Sequence, residues 1–194
     1  MDPSVVAALA KWPDVPDVYG WLGLTVRGEW RLQGQPIGNA ALREFIGRNY
    51  GSDARGRWYF QNGPQRVFVT LEAAPWVWQV AQNGGNPALQ SHTGVGARQL
   101  RGAWLDESGR VFLMTELGFG LLDSRDTGRL LNALQPDGPG LKRREDRAAG
   151  LRDDGPTAVV HGAPLGLAGQ AQLGRLRADQ MQGRFGFSRS PRPD

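Results

Sequence analysis

The sequence predicts an α+β fold: a strongly twisted, mostly antiparallel sheet of β-hairpins, tending toward a barrel, with two or three short helices packed on it. Three observations point there. Residues 57–71 place two aromatic and β-branched runs either side of Asn62-Gly63-Pro64-Gln65, the clearest hairpin signal in the chain. One form of turn chemistry occurs three times, in Thr25-Val26-Arg27-Gly28-Glu29, Asp53-Ala54-Arg55-Gly56-Arg57 and Asp106-Glu107-Ser108-Gly109-Arg110. Each starts with a side chain able to accept a backbone hydrogen bond and has glycine three residues on, where positive φ lets the ladder resume. Finally, all seven tryptophans and all three tyrosines precede residue 105. A buried tryptophan removes roughly 200 Å² from water, so the material for a core lies in the first two-thirds.

Asp2 with Pro3 behind it predicts a helix reaching Trp12 and stopped by Pro13, with Val5, Val6, Leu9 and Trp12 on one face. An extended segment punctuated by Pro13 and Pro16 feeds a strand over 20–25. Asn39 caps a second helix through Asn49, with Leu42, Phe45, Ile46 and Tyr50 as its stripe and Gly51 as its stop. In the central hairpin Pro64 has no N–H to close an Asn62-Gly63 turn, so a longer loop over 62–65 is expected. Both faces of that hairpin are apolar, which places it inside a covered sheet. Further strands are expected from Pro75, with Trp76, Trp78 and Val80 on one face, and over 89–92, 99–105, 110–116 and 119–122. Gly118-Phe119-Gly120 reads as a bulge. Asp123 or Ser124 caps a helix carrying Leu130, Leu131 and Leu134.

This divides the chain into an aromatic-rich hairpin domain over 1–135, a mobile linker or loop over 136–156 where periodicity gives way to Gly, Pro and alternating charge, and a short segment over 157–194 that can dock on the core. The three turn copies are 28 and 53 residues apart, which excludes a solenoid or propeller.

The chain has no cysteine, and that removes disulfides, thiolate metal sites and a cysteine nucleophile together. His92 and His161 are far apart in sequence with no carboxylate cluster at ligand spacing, so neither a metal nor another cofactor is expected. No serine sits in a nucleophile elbow and Gly94-Val95-Gly96 lacks the third glycine of a dinucleotide fingerprint, which argues against an enzyme. No apolar run spans a bilayer, and Met1-Asp2-Pro3 opens no signal peptide, so a cytoplasmic location is expected. Of 23 basic residues 21 are arginine, yet the net charge is only +4, and residues 1–135 hold 13 basic against 12 acidic side chains. The signs interleave rather than form a phosphate-reading block.

The residues on which a surface would be built are Trp21, Trp30, Arg57, Arg66, Trp76, Trp78 and Trp104. They support a non-catalytic binding or interaction module for a protein or small ligand. The alternatives are a weak single-stranded nucleic-acid binder that stacks bases on arginine-flanked aromatics and an enzyme whose site the sequence does not display.

One resemblance adds to this reading. The runs 12–16, 19–23, 45–50 and 56–67, with Arg101-Gly102-Ala103-Trp104-Leu105 and Thr115-Glu116-Leu117-Gly118, resemble an uncharacterised bacterial domain-of-unknown-function family. The resemblance covers about the first 135 residues and implies a bacterial, cytoplasmic, β-rich protein. It carries no activity, cofactor or catalytic residue.

Overall fold

The computed structural model describes residues 1–12, 15–136 and 158–193. The expected linker beyond Pro136 and the Pro13 stop lie outside them. The chain divides into two units, both discontinuous: Met1–Pro75, His92–Gly94 and the stretch from Gln182 form one, and Trp76–Ser91 with Val95–Met181 the other.

The first unit begins with α1 (Pro3–Lys11). Asp2 stands at its N-cap position without capping through its side chain; instead Arg48 Nε donates to Asp2 Oδ1 at 3.3 Å. Only Val5 of the expected face is buried, and Val6 and Trp12 are exposed. Then come β1 (Val18–Leu24), β2 (Trp30–Leu32), β3 (Gln35–Pro36), α2 (Ala40–Arg48), β4 (Tyr50–Ser52), β5 (Trp58–Asn62) and β6 (Gln65–Leu71). Asn39 caps α2, its Oδ1 accepting from Leu42 N at 3.0 Å. The strand order is β3-β2-β1-β6-β5-β4, two antiparallel meanders joined by the parallel pair β1–β6. Side-chain alternation sends Leu22, Leu24, Val69 and Leu71 to the buried face, with Trp30, Phe60 and Ile46 of α2. Each such side chain contributes roughly 1.5–3 kcal/mol by burial.

The central hairpin is tighter than expected. Asn62 pairs with Gln65, so the loop is Gly63-Pro64 alone. Gly63 has φ 57°, and Pro64 behind it keeps negative φ, the order of a type II′ turn. The missing N–H of Pro64 costs nothing because the closing bond is made by Gln65.

Where one sheet was expected there are two. Pro75 cannot donate to a continuing ladder, and the next strand pairs elsewhere. The second unit holds β7 (Trp76–Asn83), β8 (Asn86–Ser91), β9 (Leu100–Leu105), β10 (Val111–Thr115), β11 (Gly118–Leu122), α3 (Thr127–Ala133), β12 (Leu134–Pro136), β13 (Ala158–His161) and β14 (Gln170–Arg175). Its order is β12-β13-β14-β9-β10-β11-β7-β8, antiparallel except at β7–β11 and β9–β14. Trp78, Leu89, Leu113, Val160, Leu165 and Leu173 form the centre of its core. Asp123 caps a 3-10 turn, its Oδ1 accepting from Arg125 N at 2.9 Å, and α3 follows with Leu130 buried and Leu131 exposed. A last helix, α4 (Ala178–Phe185), carries the chain back to the first unit.

The units share a motif. In each, a hairpin (β1–β2, β7–β8) is followed by a three-stranded meander (β4–β6, β9–β11) whose last strand lies parallel to the hairpin's first. The Asp53 and Asp106 turns occupy the same place in it, between the meander's first two strands. The Thr25 turn closes β1–β2, where Thr25 Oγ1 accepts from Arg27 N and Glu29 N at 3.3 and 3.1 Å. The α+β class and the dominance of antiparallel hairpins thus follow the sequence expectation.

Candidate functional site

The seven expected surface residues divide between the units, Trp21, Trp30, Arg57 and Arg66 in the first and Trp76, Trp78 and Trp104 in the second. Trp30 is 3% and Trp78 0% exposed, both core residues. Trp76 and Trp78 stack at 5.9 Å against β11. Their indoles occupy the space left by Gly118 and Gly120: a Cβ on Gly120 would collide with Trp78 Nε1 and stand 2.6 Å from Trp76 Cβ. These glycines lie in a regular antiparallel pairing with β10 rather than in a bulge. Trp104 likewise lies over Gly102 and Gly174. Such indoles are packed by glycine: Trp78 is fully buried, and Trp76 and Trp104 are half-buried.

Arg57 and Arg66 do flank aromatic rings. On one face of the first sheet Phe68 stacks with Tyr19 at 4.6 Å and meets Tyr59 edge-on at 5.7 Å. The Arg57 guanidinium lies 4.8 Å from the Phe68 centroid and that of Arg66 4.9 Å from Tyr59. Phe68 is buried, however. Arg57 is bonded to Asp53 through Nε at 2.7 Å and donates from Nη1 to Arg192 O at 3.4 Å. The stretch after α4 runs beside it, with Ser188 N donating to Gly56 O and Leu71 N to Arg189 O. Burial would raise the Asp53 carboxyl, but the side-chain and backbone hydrogen bonds from Arg57 and that from Arg55 hold it below its ordinary value.

A second cluster joins Trp30, Tyr50, Trp58 and His92. The His92 ring meets Trp30 and Tyr50 edge-on at 5.1 and 5.5 Å, and Tyr50 OH donates to Pro75 O at 3.0 Å. Burial lowers His92 to about 3 and pushes the Tyr50 hydroxyl well up. This histidine is neutral and packed. Among the described residues no three His, Cys, Asp or Glu side chains gather where they could hold a metal ion, and no helix is long and apolar enough to cross a membrane.

Of the five expected tryptophans Trp21 is the exposed one, at 54%. It borders a groove of about 290 Å³ in the first unit, with Gly23, Arg31, Gly34, Thr70 and Glu72 among its lining. The local pairing explains the groove. Gly23 of β1 lies opposite Arg31 of β2 and Thr70 of β6, so the three share one face in a row across the strands. Gly23 contributes no side chain, leaving bare backbone as a floor between Arg31 and Thr70. Trp21, two residues before it, stands on the same face. Gly34, with φ 81°, turns β2 into β3 without filling the space.

The charges in the groove differ in state. Glu72 Oε2 accepts from Val26 N at 2.9 Å. Arg31 Nη2 is 3.9 Å from Glu29 Oε2, an exposed and long pairing worth little. Its Nε is buried with no acceptor in reach. The sequence contained one sign of this site: Trp21 and Gly23 alternate with Leu22 and Leu24, a tryptophan and a glycine on the face away from the core. Arg31, Thr70 and Glu72 become neighbours only through the β2–β1–β6 pairing, which long-range register alone determines.

A family model named DUF2944 and described as "Protein of unknown function (DUF2946)" matches residues 1–192. Among solved structures, a DUF1285 family protein from Silicibacter pomeroyi DSS-3 is similar, with 17% identity and a TM-score of 0.52 over 94% of this chain and 99% of that one. Another DUF1285 family protein, from Shewanella baltica OS155, matches at 18% identity and a TM-score of 0.43 over 58% of this chain and 91% of that one. No curated protein matches the chain. At such identity the first likeness is one of fold.

Proposed function

The chain belongs to the DUF2944 family of unknown function, and from that premise we propose that it is a non-catalytic binding module whose ligand is a small molecule held in the Trp21–Arg31–Thr70–Glu72 groove. The observation that carries this reading is the glycine-floored groove itself, where an exposed indole and a guanidinium with an unsatisfied donor converge. A small number of placed polar groups beside an aromatic surface is the usual makeup of a ligand site. Its charged lining is Arg31 and Glu72, a guanidinium and a carboxylate engaged with a backbone amide, a pair suited to pairing with complementary charge on a ligand. In this reading the protein works in the bacterial cytoplasm, the setting its sequence resemblance implies.

The test is a small-molecule screen by amide chemical-shift mapping on the full chain. Ligands are expected to shift Trp21, Gly23 and Thr70 together and to lose binding in Trp21→Ala and Arg31→Ala, with stability changed by no more than about 0.5 kcal/mol in the first. Ligands that bind while leaving those three amides unmoved would overturn the proposal.

A further inference from the structure

We infer that the groove selects a zwitterion, an α-amino acid with a planar or apolar side chain, rather than a simple anion or cation. The inference rests on the groove being the binding site and adds the class of ligand. Its lining carries one cation, Arg31, and one anion, Glu72, so a singly charged ligand would satisfy one and leave the other facing it. Arg31 Nε–H lies buried with no acceptor. A carboxylate taking the Nε–Nη edge of a slightly rotated guanidinium supplies the missing acceptor and binds in the two-pronged geometry that arginine favours. Glu72 has one oxygen, Oε2, fixed on Val26 N; that bond holds the carboxylate in place while Oε1 is left to accept from an ammonium. Thr70, exposed beside Gly23, adds a hydroxyl to the same groove. Trp21, exposed on the same face, offers its ring to the ligand's side chain. The volume of about 290 Å³ fits a molecule of this size.

Three probes of nearly equal shape separate the possibilities: L-phenylalanine, 3-phenylpropanoate, which lacks the ammonium, and phenethylamine, which lacks the carboxylate. Each is titrated into the full chain, with affinity read by calorimetry and location by the Trp21 and Gly23 amide shifts. Phenylalanine is expected to bind about tenfold or more tightly than either singly charged analogue, the difference one charge-assisted hydrogen bond makes. Arg31→Gln should weaken phenylalanine and phenylpropanoate while leaving phenethylamine unchanged, and Glu72→Gln should do the converse. In the latter the amide oxygen of the new side chain can still accept from Val26 N, so this variant keeps the local fold, and unchanged melting temperatures verify it. Equal affinity of phenylalanine and one singly charged probe at the same amides overturns the zwitterion and leaves the groove as the binding site. Failure of phenylalanine to shift Trp21 or Gly23 overturns it as well, while the groove itself stands or falls with the broader screen.

Discussion

Asp53 and Arg57 are joined three ways within one turn: Asp53 Oδ1 accepts from Arg57 N at 2.9 Å, Oδ2 accepts from Nε at 2.7 Å, and Asp53 N donates to Arg57 O at 3.0 Å. Asp106 and Arg110 repeat this at 2.8, 2.6 and 3.0 Å. In both, the carboxylate satisfies backbone donors at the point where one strand of a meander turns into the next. Removing it leaves those amides and a guanidinium without their acceptor. Asp53→Ala and Asp106→Ala should therefore each cost about 2–4 kcal/mol, measured by urea denaturation. A loss below about 1 kcal/mol in both would show that the turns hold without their carboxylates.

The tryptophans of the second unit depend on glycine. In Gly120→Ala the new methyl meets Trp78 Nε1, Trp76 Cβ and, at 2.8 Å, Trp76 O. The last is backbone and cannot rotate away. Overpacking of this kind should cost about 1–3 kcal/mol. A melting temperature equal to that of the unsubstituted protein would mean that β7 and β11 separate freely.

His92 predicts a pH dependence. Unfolded, a histidine titrates near 6.5; folded, burial holds His92 at about 3. The unfolded chain therefore binds more protons between those values. This contribution to stability is complete above pH 6.5 and declines as pH falls, by up to about 1.4 kcal/mol per pH unit. Asp53 and Glu116, whose folded values lie below their ordinary 3.8 and 4.5, contribute stability that is lost at lower pH. The window from pH 6.5 to about 4.5 thus isolates the histidine. His92→Gln should flatten the melting temperature across it, and a slope unchanged by the substitution would assign the effect elsewhere.

The arginine-flanked rings make a prediction about nucleic acid. Arg57, Arg110 and Arg125 are paired with Asp53, Asp106 and Asp123, so these guanidiniums are neutralised locally. Single-stranded oligonucleotides should bind no more tightly than about 10⁻⁴ M at physiological salt. Micromolar affinity with a steep salt slope, lost in Arg66→Ala, would instead favour the aromatic platform as the working surface.

Much of the fold could be read from local chemistry. Asn39 announced α2, the three turns announced their hairpins, and Trp76-Val77-Trp78 announced β7, because capping, turn closure and period-two alternation act over a few residues. What could not be read depends on distant partners. Nothing near Pro75 says that β7 will choose β11 over β6. Trp30 and Trp21 look alike in sequence, yet one packs against Tyr50 and His92 and the other stands in solvent. The groove was half visible for the same reason: Trp21 and Gly23 belong to one strand, whereas Arg31, Thr70 and Glu72 reach it from elsewhere in the chain.

The discontinuity of the first unit sets an order of events during synthesis. Its sheet is complete in sequence by Leu71, but Leu71 N finds its acceptor on Arg189, and the Arg189 guanidinium in turn caps the carbonyls of Leu71 and Glu72. Over a hundred residues must leave the ribosome between those two ends, a wait on the order of ten seconds at ordinary rates of synthesis. Through that interval the nascent chain carries a β6 terminus with open hydrogen-bonding positions while the intervening unit is still being made. The first sheet to emerge is among the last to be sealed.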